Sequence, residues 1–512
     1  MLSQEEFLHY GDLGFTLVPL WQTLPLSAGV DAQSLYQVLA NQGQDYIFET
    51  GHWRNGVFES AYSVVGLPCR DRIEMDEGCL RQFRDGQLLH EIASDDPLVE
   101  LAQIQAGYRV PQFNFFPPFS GGLFGYFGFE TTRLIEARLR RSARKPSGLN
   151  LPDVVQWVST DLVVLDHQQG CLHCIVHEPP ESASSYDFGQ RRLSQLVCNL
   201  KPLLVMQLNA PVFCNAVVPE PATPHFSFPR AHFEQAVGAI KDYIAAGDVM
   251  QVVLSQRMSM PFAQDALTLY RALTSLGQTP YRYLLNLGES QIVGASPEML
   301  VRQHGTQVTS RPMAGTRRRG QGQAEDKRLH QELLSDPKEI AEHMMLVDLA
   351  RNDLGRLAQF GSVQVDELLA VEYFSHVMHI VSTVTGQLPE SVSGLDVLKS
   401  TFPAGTLSGA SKVRALEIIA ELEPHTRGVY GGGIGYLNWR GQTDLAIAIR
   451  SGILQQGVLY VQAGAGIVQD SLAEREWQET LEKSRSMLLA ASMSNSMNTT
   501  HDLQQEEKTC TL

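Results

Sequence analysis

Short segments in which apolar and polar side chains alternate recur along this chain, and they limit the folds open to it. Residues 46–49, 57–66 and 249–255 are examples. A parallel sheet is covered on both faces and needs strands that are apolar throughout, so the alternation favours antiparallel sheets. Helical segments interrupt the strands at irregular intervals, and the second half begins with an amphipathic helix over 233–244. The sequence therefore predicts an α+β fold.

The charge balance excludes several classes of protein. The 512 residues carry a formal net charge of −16, and the longest basic cluster, 317–319, is too short to follow a phosphate backbone. No run approaches the roughly 18 apolar residues of a membrane helix. The N-terminus lacks the charged and then apolar pattern of a signal peptide, and the seven cysteines are scattered and odd in number. We expect a cytoplasmic protein with no nucleic-acid or membrane partner.

A proline-rich stretch divides the chain. Four prolines fall within residues 217–229, which indicates a linker between two larger parts. The sequence therefore predicts an N-terminal region over 1–216 and a second region over 230–490. Residues 491–512 lack periodicity and are rich in Ser, Asn, Thr and Gln, so we expect a disordered tail.

One short cysteine and histidine motif has a spacing that zinc sites use. Cys171, His173 and Cys174 follow the turn of a predicted β-hairpin, with strands at 161–165 and 171–176. No second ligand pair lies at zinc-finger spacing. On a strand, residues three apart face opposite sides of the sheet, so Cys171 and Cys174 would point apart. The sequence does not predict a zinc site here.

Two glycines near the C-terminus precede a helix that carries three charged side chains. Gly464 and Gly466 follow the end of a strand at 460–462, and a backbone without Cβ atoms can approach a ligand there. Glu476, Glu479 and Lys483 then share one helix face by their spacing. Glycine amides and a lysine suit an anion, and paired glutamates suit a hard cation such as Mg²⁺. The alternative is a solvated helix face with an ordinary Glu–Lys pair.

A second helix start carries another pair of glutamates. Asp336 and Pro337 have the residue types of an N-cap and a first helical position, and Glu339 falls three residues after the cap. Glu339 could simply complete a capping box. Glu342 leads into an apolar run and would be partly buried, so its carboxylate needs a partner. Glu476, facing it across a metal ion, would supply one.

Many longer motifs then carry a resemblance to the chorismate-utilising enzymes. They span roughly 230–490 and comprise GDVMQVVLSQR at 247–257, GASPE at 294–298, RPMAGT at 311–316, EHMMLVDLARND at 342–353, SHVMH at 375–379, GTLSGA at 405–410, YGG at 430–432, IRS at 449–451 and the stretch 463–483. The N-terminal region is similar more loosely, at 47–49 and 62–66. The resemblance implies two stacked antiparallel sheets flanked by helices, with chorismate as substrate and Mg²⁺ as cofactor.

The same resemblance implies roles for individual residues. Glu342 and Glu476 would bind the metal, while Glu339 and Glu479 would hold water on it from farther out. The residues placed around the substrate are Ala314, Thr316, Tyr430, Arg450, Gly464, Gly466 and Lys483. One departure is Ser411, where the family usually has proline. Either residue can start a helix, so we expect a small local effect.

Two positions distinguish the reactions of such enzymes. Water needs a base to attack C2 of chorismate, and members that add water have a lysine where this chain has Gln251. Members that aminate C4 have a nucleophilic lysine where this chain has Ala314. Ammonia is a neutral nucleophile and needs no base, so the resemblance implies amination at C2.

The implied reaction forms anthranilate and pyruvate. Glu298 would protonate the departing 4-hydroxyl, and His379 and Thr406 match positions that direct the intermediate into pyruvate elimination. By itself, Glu298 after a proline would be a turn residue and His379 a packed histidine. The chain has no glutaminase nucleophile, so a glutamine amidotransferase subunit would be its partner. The alternatives are an enzyme that stops at 2-amino-2-deoxyisochorismate and a non-catalytic chorismate-binding module.

The N-terminal region departs from the pattern of tryptophan-inhibited members. Glu49, Pro280 and Tyr281 match that pattern, whereas Thr50, Ala61 and Arg282 replace serine, a cation and methionine. Losing a charged hydrogen bond typically costs about 1.5–3 kcal/mol, and ~1.4 kcal/mol already weakens binding tenfold. We therefore expect a vestigial site and weak or no inhibition by tryptophan, as would suit a route other than tryptophan synthesis. The alternative is that Arg282 replaces the charge missing at Ala61.

Overall fold

A computed structural model describes residues 2–27, 29–54, 57–205, 223–374 and 377–509. Residues 217–222 of the expected linker, 375–376 of one family motif and the last three residues of the expected tail lie outside this range. From residue 223 the chain passes through a two-residue strand into the helix predicted over 233–244.

The helices in the described part of the chain alternate irregularly with strands. They are α1 (Gln4–Asp12), α2 (Ala32–Leu39), α3 (Pro97–Gly107), α4 (Thr132–Ile135), α5 (Ala183–Val205), α6 (Arg230–Ala245), α7 (Ala266–Ser275), α8 (Gln323–Ser335), α9 (Pro337–Gly355), α10 (Gly394–Thr401), α11 (Lys412–Leu422) and α12 (Ala473–Thr509). None of them is long and apolar enough to cross a membrane over the described residues.

The strands are short and fall in both regions of the chain. They are β1 (Val18–Pro25), β2 (Asp45–Arg54), β3 (Val57–Gly66), β4 (Asp71–Asp76), β5 (Cys79–Arg84), β6 (Gln87–Ala93), β7 (Gly122–Phe127), β8 (Val154–Ser159), β9 (Asp161–Asp166), β10 (Cys171–Glu178), β11 (His225–Phe226), β12 (Gln251–Pro261), β13 (Tyr281–Asn286), β14 (Ser290–Ser296), β15 (Met299–His304), β16 (Gln307–Ser310), β17 (Met313–Arg318), β18 (Gln364–Tyr373), β19 (Val377–Gln387), β20 (Gly409–Ala410), β21 (Gly433–Asn438), β22 (Thr443–Ile447), β23 (Ser451–Gln455) and β24 (Val458–Ile467).

These strands form two antiparallel sheets, which confirms the predicted fold class. The first sheet has the order β1-β10-β9-β3-β2-β13-β14-β23-β24-β12-β11, with β20 beside β12. The second has the order β17-β19-β16-β15-β22-β21-β7-β8-β4-β5-β6, with β18 beside β19. Each sheet passes from one region of the chain to the other, through the β2–β13 pair and the β7–β21 pair. Each sheet therefore contains strands from both predicted regions of the chain.

Side chains between the two sheets form one aromatic core. The rings of Tyr46 in β2 and Phe124 in β7 stack with centroids 3.6 Å apart. The hydroxyl of Tyr281 in β13 donates to Asp444 in β22 across a distance of 2.7 Å. Helices α2, α5, α7 and α12 cover the outer face of the first sheet, and α3, α9 and α10 cover the second. Side chains of α9 and of α12 contact strands of both sheets.

Two local features bear on expectations from the sequence. Helix α12 continues to Thr509, into the stretch from residue 491 for which the sequence predicts a disordered tail. Ala491 and Ser494, at the start of that stretch, are buried. Ser411 occupies the N-cap position of α11, but its side chain makes no capping hydrogen bond.

Candidate active site

The β12 and β24 strands bring the two glycines of the C-terminal motif beneath several polar side chains. Gly464 pairs with Ser255, and Gly466 pairs with Val253. A Cβ atom on Gly466 would lie 2.4 Å from the Gln251 amide nitrogen. The Gln251 side chain therefore lies directly over this strand, and a Cβ atom on Gly466 would force it to move.

Helix α12 starts at Ala473, shortly after this strand, and brings Glu479 and Lys483 together as their spacing predicts. The Lys483 ammonium lies 2.7 Å from Glu479 and donates to the Gly464 carbonyl at 3.0 Å. Arg450 in turn donates to the Lys483 carbonyl. These bonds fix the end of α12 against the glycine strand.

Helix α9 supplies the second glutamate pair. The Asp336 side chain accepts from the Lys338 and Glu339 amides, as predicted for an N-cap. Glu339 does not complete a capping box, because its carboxylate pairs with Arg317 at 2.8 Å. Glu342 accepts a hydrogen bond of 3.0 Å from the Gln251 amide. The structure thus joins Gln251, Glu342 and Gly466 at one point.

The four glutamates fall into two electrostatic classes. Glu339 and Glu479 each have a cationic partner within 3 Å. Among the described residues, neither Glu342 nor Glu476 has an ion-pair partner. Burial raises the pKa of both carboxyls, and the neighbouring charge of Glu479 raises them further. Glu342 is half-buried and Glu476 is buried, and neither has a counter-charge among the described residues. Two such carboxylates are a donor set that fits a hard divalent cation.

Glu298 lies between β14 and β15 and is buried, with 7% of its surface exposed. Burial raises the pKa of its carboxyl to about 8, while a hydrogen bond from Thr406 and the charge of Lys483 oppose the rise. The Thr406 hydroxyl donates to the carboxylate at 2.9 Å. At neutral pH this carboxyl is therefore mostly protonated and can act as an acid.

His379 on β19 faces Thr316 on β17. Its Nδ1 atom lies 3.1 Å from the Gly315 carbonyl and 3.0 Å from the Thr316 hydroxyl. A carbonyl can only accept, so Nδ1 carries the hydrogen and Nε2 is an acceptor. Burial lowers the pKa of the imidazole to about 4, which keeps it neutral.

Arg450 and Tyr430 form a potential anion-binding surface. Desolvation lowers the pKa of Arg450, and no carboxylate of the described residues lies within ion-pair distance of its guanidinium. Its φ of +52° is in the left-handed region, a conformation that non-glycine residues keep mainly where surrounding structure holds them. A Cβ atom on Gly464 would lie 3.0 Å from the Tyr430 hydroxyl. A bound carboxylate could therefore meet the guanidinium, the hydroxyl and the glycine backbone together.

Sequence reasoning missed a buried ion pair beneath this surface. Arg427 pairs with Glu423 at 2.6 Å and also donates to the carbonyls of Val253 and Leu407. Its guanidinium lies 5.7 Å from the centre of the Tyr430 ring. The pair thus joins β12, the turn that carries Thr406, and Tyr430. The only signal in the sequence is an arginine three residues before that tyrosine.

The residues predicted to be regulatory do not share one surface. Thr50 and Ala61 border a cavity of about 230 Å³ between the two sheets. Glu49 is the neighbour of Thr50 on β2, so its side chain points to the opposite face. Arg282 pairs with Glu49 there, at 3.2 Å. Arg282 is therefore not among the residues that line this cavity.

The other two residues of that group have structural contacts. The Pro280 carbonyl accepts from the Gly51 amide at 2.9 Å. Tyr281 is buried, and its hydroxyl is engaged by Asp444 and by Arg302, at 2.7 and 3.0 Å. The Pro280 contact joins the start of β13 to β2, and the Tyr281 contacts join β13 of the first sheet to β22 and β15 of the second.

Comparisons with known proteins agree with this architecture. The profile of a family described as chorismate binding enzyme matches residues 62–489. Anthranilate synthase component 1 of Pseudomonas aeruginosa is 46% identical over 498 residues, which cover 96% of this chain and 99% of that protein. The protein of the same description from Neisseria gonorrhoeae is 42% identical, with the same coverage.

Solved structures give the same result. The crystal structure of anthranilate synthase component I from Streptococcus pneumoniae has a TM-score of 0.74 and 35% identity, and the match covers 91% of this chain and 99% of that one. The menaquinone-specific isochorismate synthase of Escherichia coli shares the fold, with a TM-score of 0.66 at 19% identity.

Proposed function

The chain belongs to the chorismate binding enzyme family, and from this membership we infer an anthranilate synthase reaction. Chorismate and ammonia become anthranilate, pyruvate and water. The observation that carries the choice of reaction is Gln251, buried in the site with its amide 3.0 Å from Glu342. An amide cannot take a proton from water at neutral pH, so the site favours a nucleophile that needs no base.

We propose Mg²⁺ as the cofactor and Glu342 and Glu476 as the residues that would hold it. The support is that both carboxylates lack an ionic partner among the described residues, whereas Glu339 and Glu479 have theirs. Magnesium commonly takes one or two protein carboxylates and keeps other positions for water and ligand oxygens. When bound, it would supply positive charge for the carboxylate on the substrate ring.

The protein's own groups would hold the other carboxylate of chorismate. Arg450 offers a desolvated guanidinium, and Tyr430 offers a buried hydroxyl. The hydrogen bond from Arg450 to the Lys483 carbonyl holds the guanidinium against α12. A half-buried cation without a counter-ion among the described residues binds a carboxylate strongly because part of its desolvation has already occurred on folding.

In the first half of the reaction, ammonia adds at C2 and the ring double bonds shift as the 4-hydroxyl leaves. Glu298, protonated at neutral pH, gives its proton to the departing oxygen, which leaves as water. The added nitrogen loses one proton, which restores the proton balance. Thr406 holds the Glu298 carboxyl in place during this transfer.

In the second half, the proton on C2 leaves and the bond from C3 to the enolpyruvyl oxygen breaks. The enolpyruvate gains a proton and becomes pyruvate, while the ring becomes aromatic. His379 is neutral and has a free acceptor at Nε2, so we assign it the C2 proton. Thr316 and the Gly315 carbonyl hold the ring of His379 in this tautomer.

The deciding experiment supplies purified protein with chorismate, Mg²⁺ and ammonium at mildly alkaline pH and follows anthranilate fluorescence. We expect anthranilate and pyruvate in equal amounts. Accumulation of an aminated intermediate without fluorescence would favour the enzyme that stops at 2-amino-2-deoxyisochorismate. No turnover, with retained chorismate binding, would favour the binding module.

We propose that a glutamine amidotransferase subunit supplies ammonia in the assembled enzyme. The relatives are described as component 1, which implies a second component. We expect the isolated chain to use ammonium but not glutamine, and to use glutamine once an amidotransferase subunit is added. Glutamine-dependent turnover by the chain alone would contradict this assignment.

We also propose that tryptophan inhibits this enzyme weakly or not at all. Glu49, the acidic residue of the tryptophan pattern, already accepts from Ser63 at 2.9 Å and from Tyr270, and pairs with Arg282. Its charge is therefore compensated and faces away from the cavity beside Thr50. Arg282 does not restore the cation missing at Ala61, because it is engaged with Glu49 on the other face of the sheet.

The test is a titration of activity with L-tryptophan at subsaturating chorismate. We expect less than twofold inhibition at tryptophan concentrations that saturate sensitive relatives. A variant that combines Thr50→Ser with Ala61→Arg serves as the comparison, since it restores the residues of the sensitive pattern. Half-inhibition of the unaltered enzyme at low micromolar tryptophan would refute the proposal.

A further inference from the structure

The hairpin formed by β9 and β10 brings together three side chains that metals bind. Asp166 ends β9, and Cys171 lies directly opposite it at the start of β10. His173 is two residues farther along β10 and so shares the face of Cys171. One ligand atom from each of the three lies within 4.8 Å of the others. Cys174 points to the opposite face and packs in the core beneath the helices, as the sequence predicted.

Two of the three groups, Asp166 and His173, are held in place by contacts outside the cluster. The Asp166 carboxylate accepts from the amides of Gln168 and Gln169 at 3.0 and 2.9 Å. The Nδ1 atom of His173 lies 3.0 Å from the Thr23 hydroxyl on β1. This contact leaves Nε2 directed at the Cys171 sulfur, 3.3 Å away. A histidine with its far nitrogen engaged by an oxygen is the usual arrangement for a metal ligand.

The spacing agrees with a shared tetrahedral centre. Bonds of about 2.3 Å to sulfur and about 2.0–2.1 Å to nitrogen at a tetrahedral angle put the two ligand atoms about 3.5 Å apart. The observed sulfur–nitrogen distance of 3.3 Å differs from that by a few tenths of an ångström. For this pair of ligands, small side-chain rotations would suffice to admit an ion, and the Asp166 oxygen lies within 4.8 Å of both.

The surroundings distinguish this cluster from an exposed group of acids. Asp166 and His173 are 1% and 3% exposed, whereas Cys171 is partly exposed and gives a route from solvent. The Phe116 ring packs edge-on against the imidazole. A buried carboxylate beside a thiol and an imidazole is a mixed donor set of the kind that zinc takes.

We propose that Asp166, Cys171 and His173 bind one zinc ion, with water at the fourth position. On binding, the thiol releases its proton to solvent and the thiolate sulfur forms the bond to the metal. The ion would join the ends of β9 and β10 and, through His173 and Thr23, fix β1 beside them. This site is separate from the glutamate cluster, whose all-oxygen donors favour magnesium.

Cobalt(II) is a suitable probe, because a cobalt–thiolate bond absorbs in the near ultraviolet and oxygen-only sites do not. The full-length protein, reduced and freed of metal with a chelator, is titrated with cobalt(II) while a large excess of Mg²⁺ occupies the glutamates. We expect a charge-transfer band that saturates at one equivalent, and displacement of cobalt by zinc. Zinc should also raise the melting temperature.

Two cysteine variants make a matched pair. Cys171→Ser should lose the band, and Cys174→Ser, on the opposite face of the same strand, should keep it. His173→Gln should bind cobalt at least tenfold more weakly. Absence of the band in the unaltered protein would overturn the proposal without any variant, and so would a band that persists unchanged in Cys171→Ser.

Discussion

The hydrogen bond from Thr406 to Glu298 offers a quantitative test of the acid assigned to the amination step. The bond is 2.9 Å long and is accepted by a buried carboxylate whose pKa is about 8. A hydrogen bond to a charged group is worth about 1.5–3 kcal/mol, and one pKa unit corresponds to about 1.36 kcal/mol. Thr406→Val removes a bond that favours the ionised form, so the pKa of Glu298 should rise by about 1–2 units.

The measurement is the pH dependence of kcat/KM at a constant concentration of free ammonia. If Glu298 acts as the acid, the rate falls as pH rises through its pKa, so the alkaline limb should lie near pH 8 in the unaltered enzyme. In Thr406→Val the limb should move upward by about one unit or more, whatever happens to the maximal rate. Thr406→Ser keeps a hydroxyl and should leave the limb in place. An unmoved limb in Thr406→Val, with both variants folded, would refute the assignment.

Three further outcomes follow from the site. Glu342→Gln and Glu476→Gln should abolish Mg²⁺-dependent turnover without unfolding the protein. Glu474→Gln, at an exposed position of α12, the helix that also carries Glu476, is the control and should keep turnover. Near-normal activity of Glu342→Gln or Glu476→Gln at limiting Mg²⁺ would contradict the ligand assignment. Gln251→Lys should form less anthranilate and some isochorismate, detected by product chromatography, because lysine offers water a base; unchanged kinetics would mean that residue 251 does not face C2. Glu298→Gln should raise the free energy of unfolding at pH 7 by up to roughly 3 kcal/mol. The reason is that a carboxyl whose pKa is raised from 4.5 to about 8 contributes stability below pH 4.5 that is lost as the pH rises toward 8. If the difference in denaturation midpoint between the variant and the unaltered protein is the same at pH 5 and at pH 7, this prediction is contradicted.

Local features of the site were predictable because short-range rules determine them. Residues four apart on a helix meet, so the pairing of Glu479 with Lys483 follows from spacing alone. A cap residue followed by proline marks a helix start, and Asp336 has that role. The resemblance of the long motifs added the identity of the reaction, which neither rule could give.

Features that depend on distant pairing were not predictable. The sequence contains nothing that places Arg317 beside Glu339, because the contact requires β17 to lie next to α9. The β2–β13 pair joins residues more than 200 positions apart, so the sharing of each sheet between the two regions is invisible in local patterns. The cysteine and histidine motif shows the same limit, since Asp166 belongs to the cluster through strand pairing rather than through motif spacing.

The charges of the site divide into ion pairs and groups without an ionic partner among the described residues, and this division gives a reason for the proposed metal and the substrate to bind together. Arg427 and Glu423 satisfy each other fully and serve as a fixed base for the site. Glu342 and Arg450 have no ionic partners among the described residues, so each carries an uncompensated desolvation cost. A dianionic substrate bound together with the proposed Mg²⁺ would neutralise both at once, and the two ligands would also attract each other. Because such coupling is reciprocal, whatever factor Mg²⁺ adds to the affinity for chorismate, chorismate must add to the affinity for Mg²⁺.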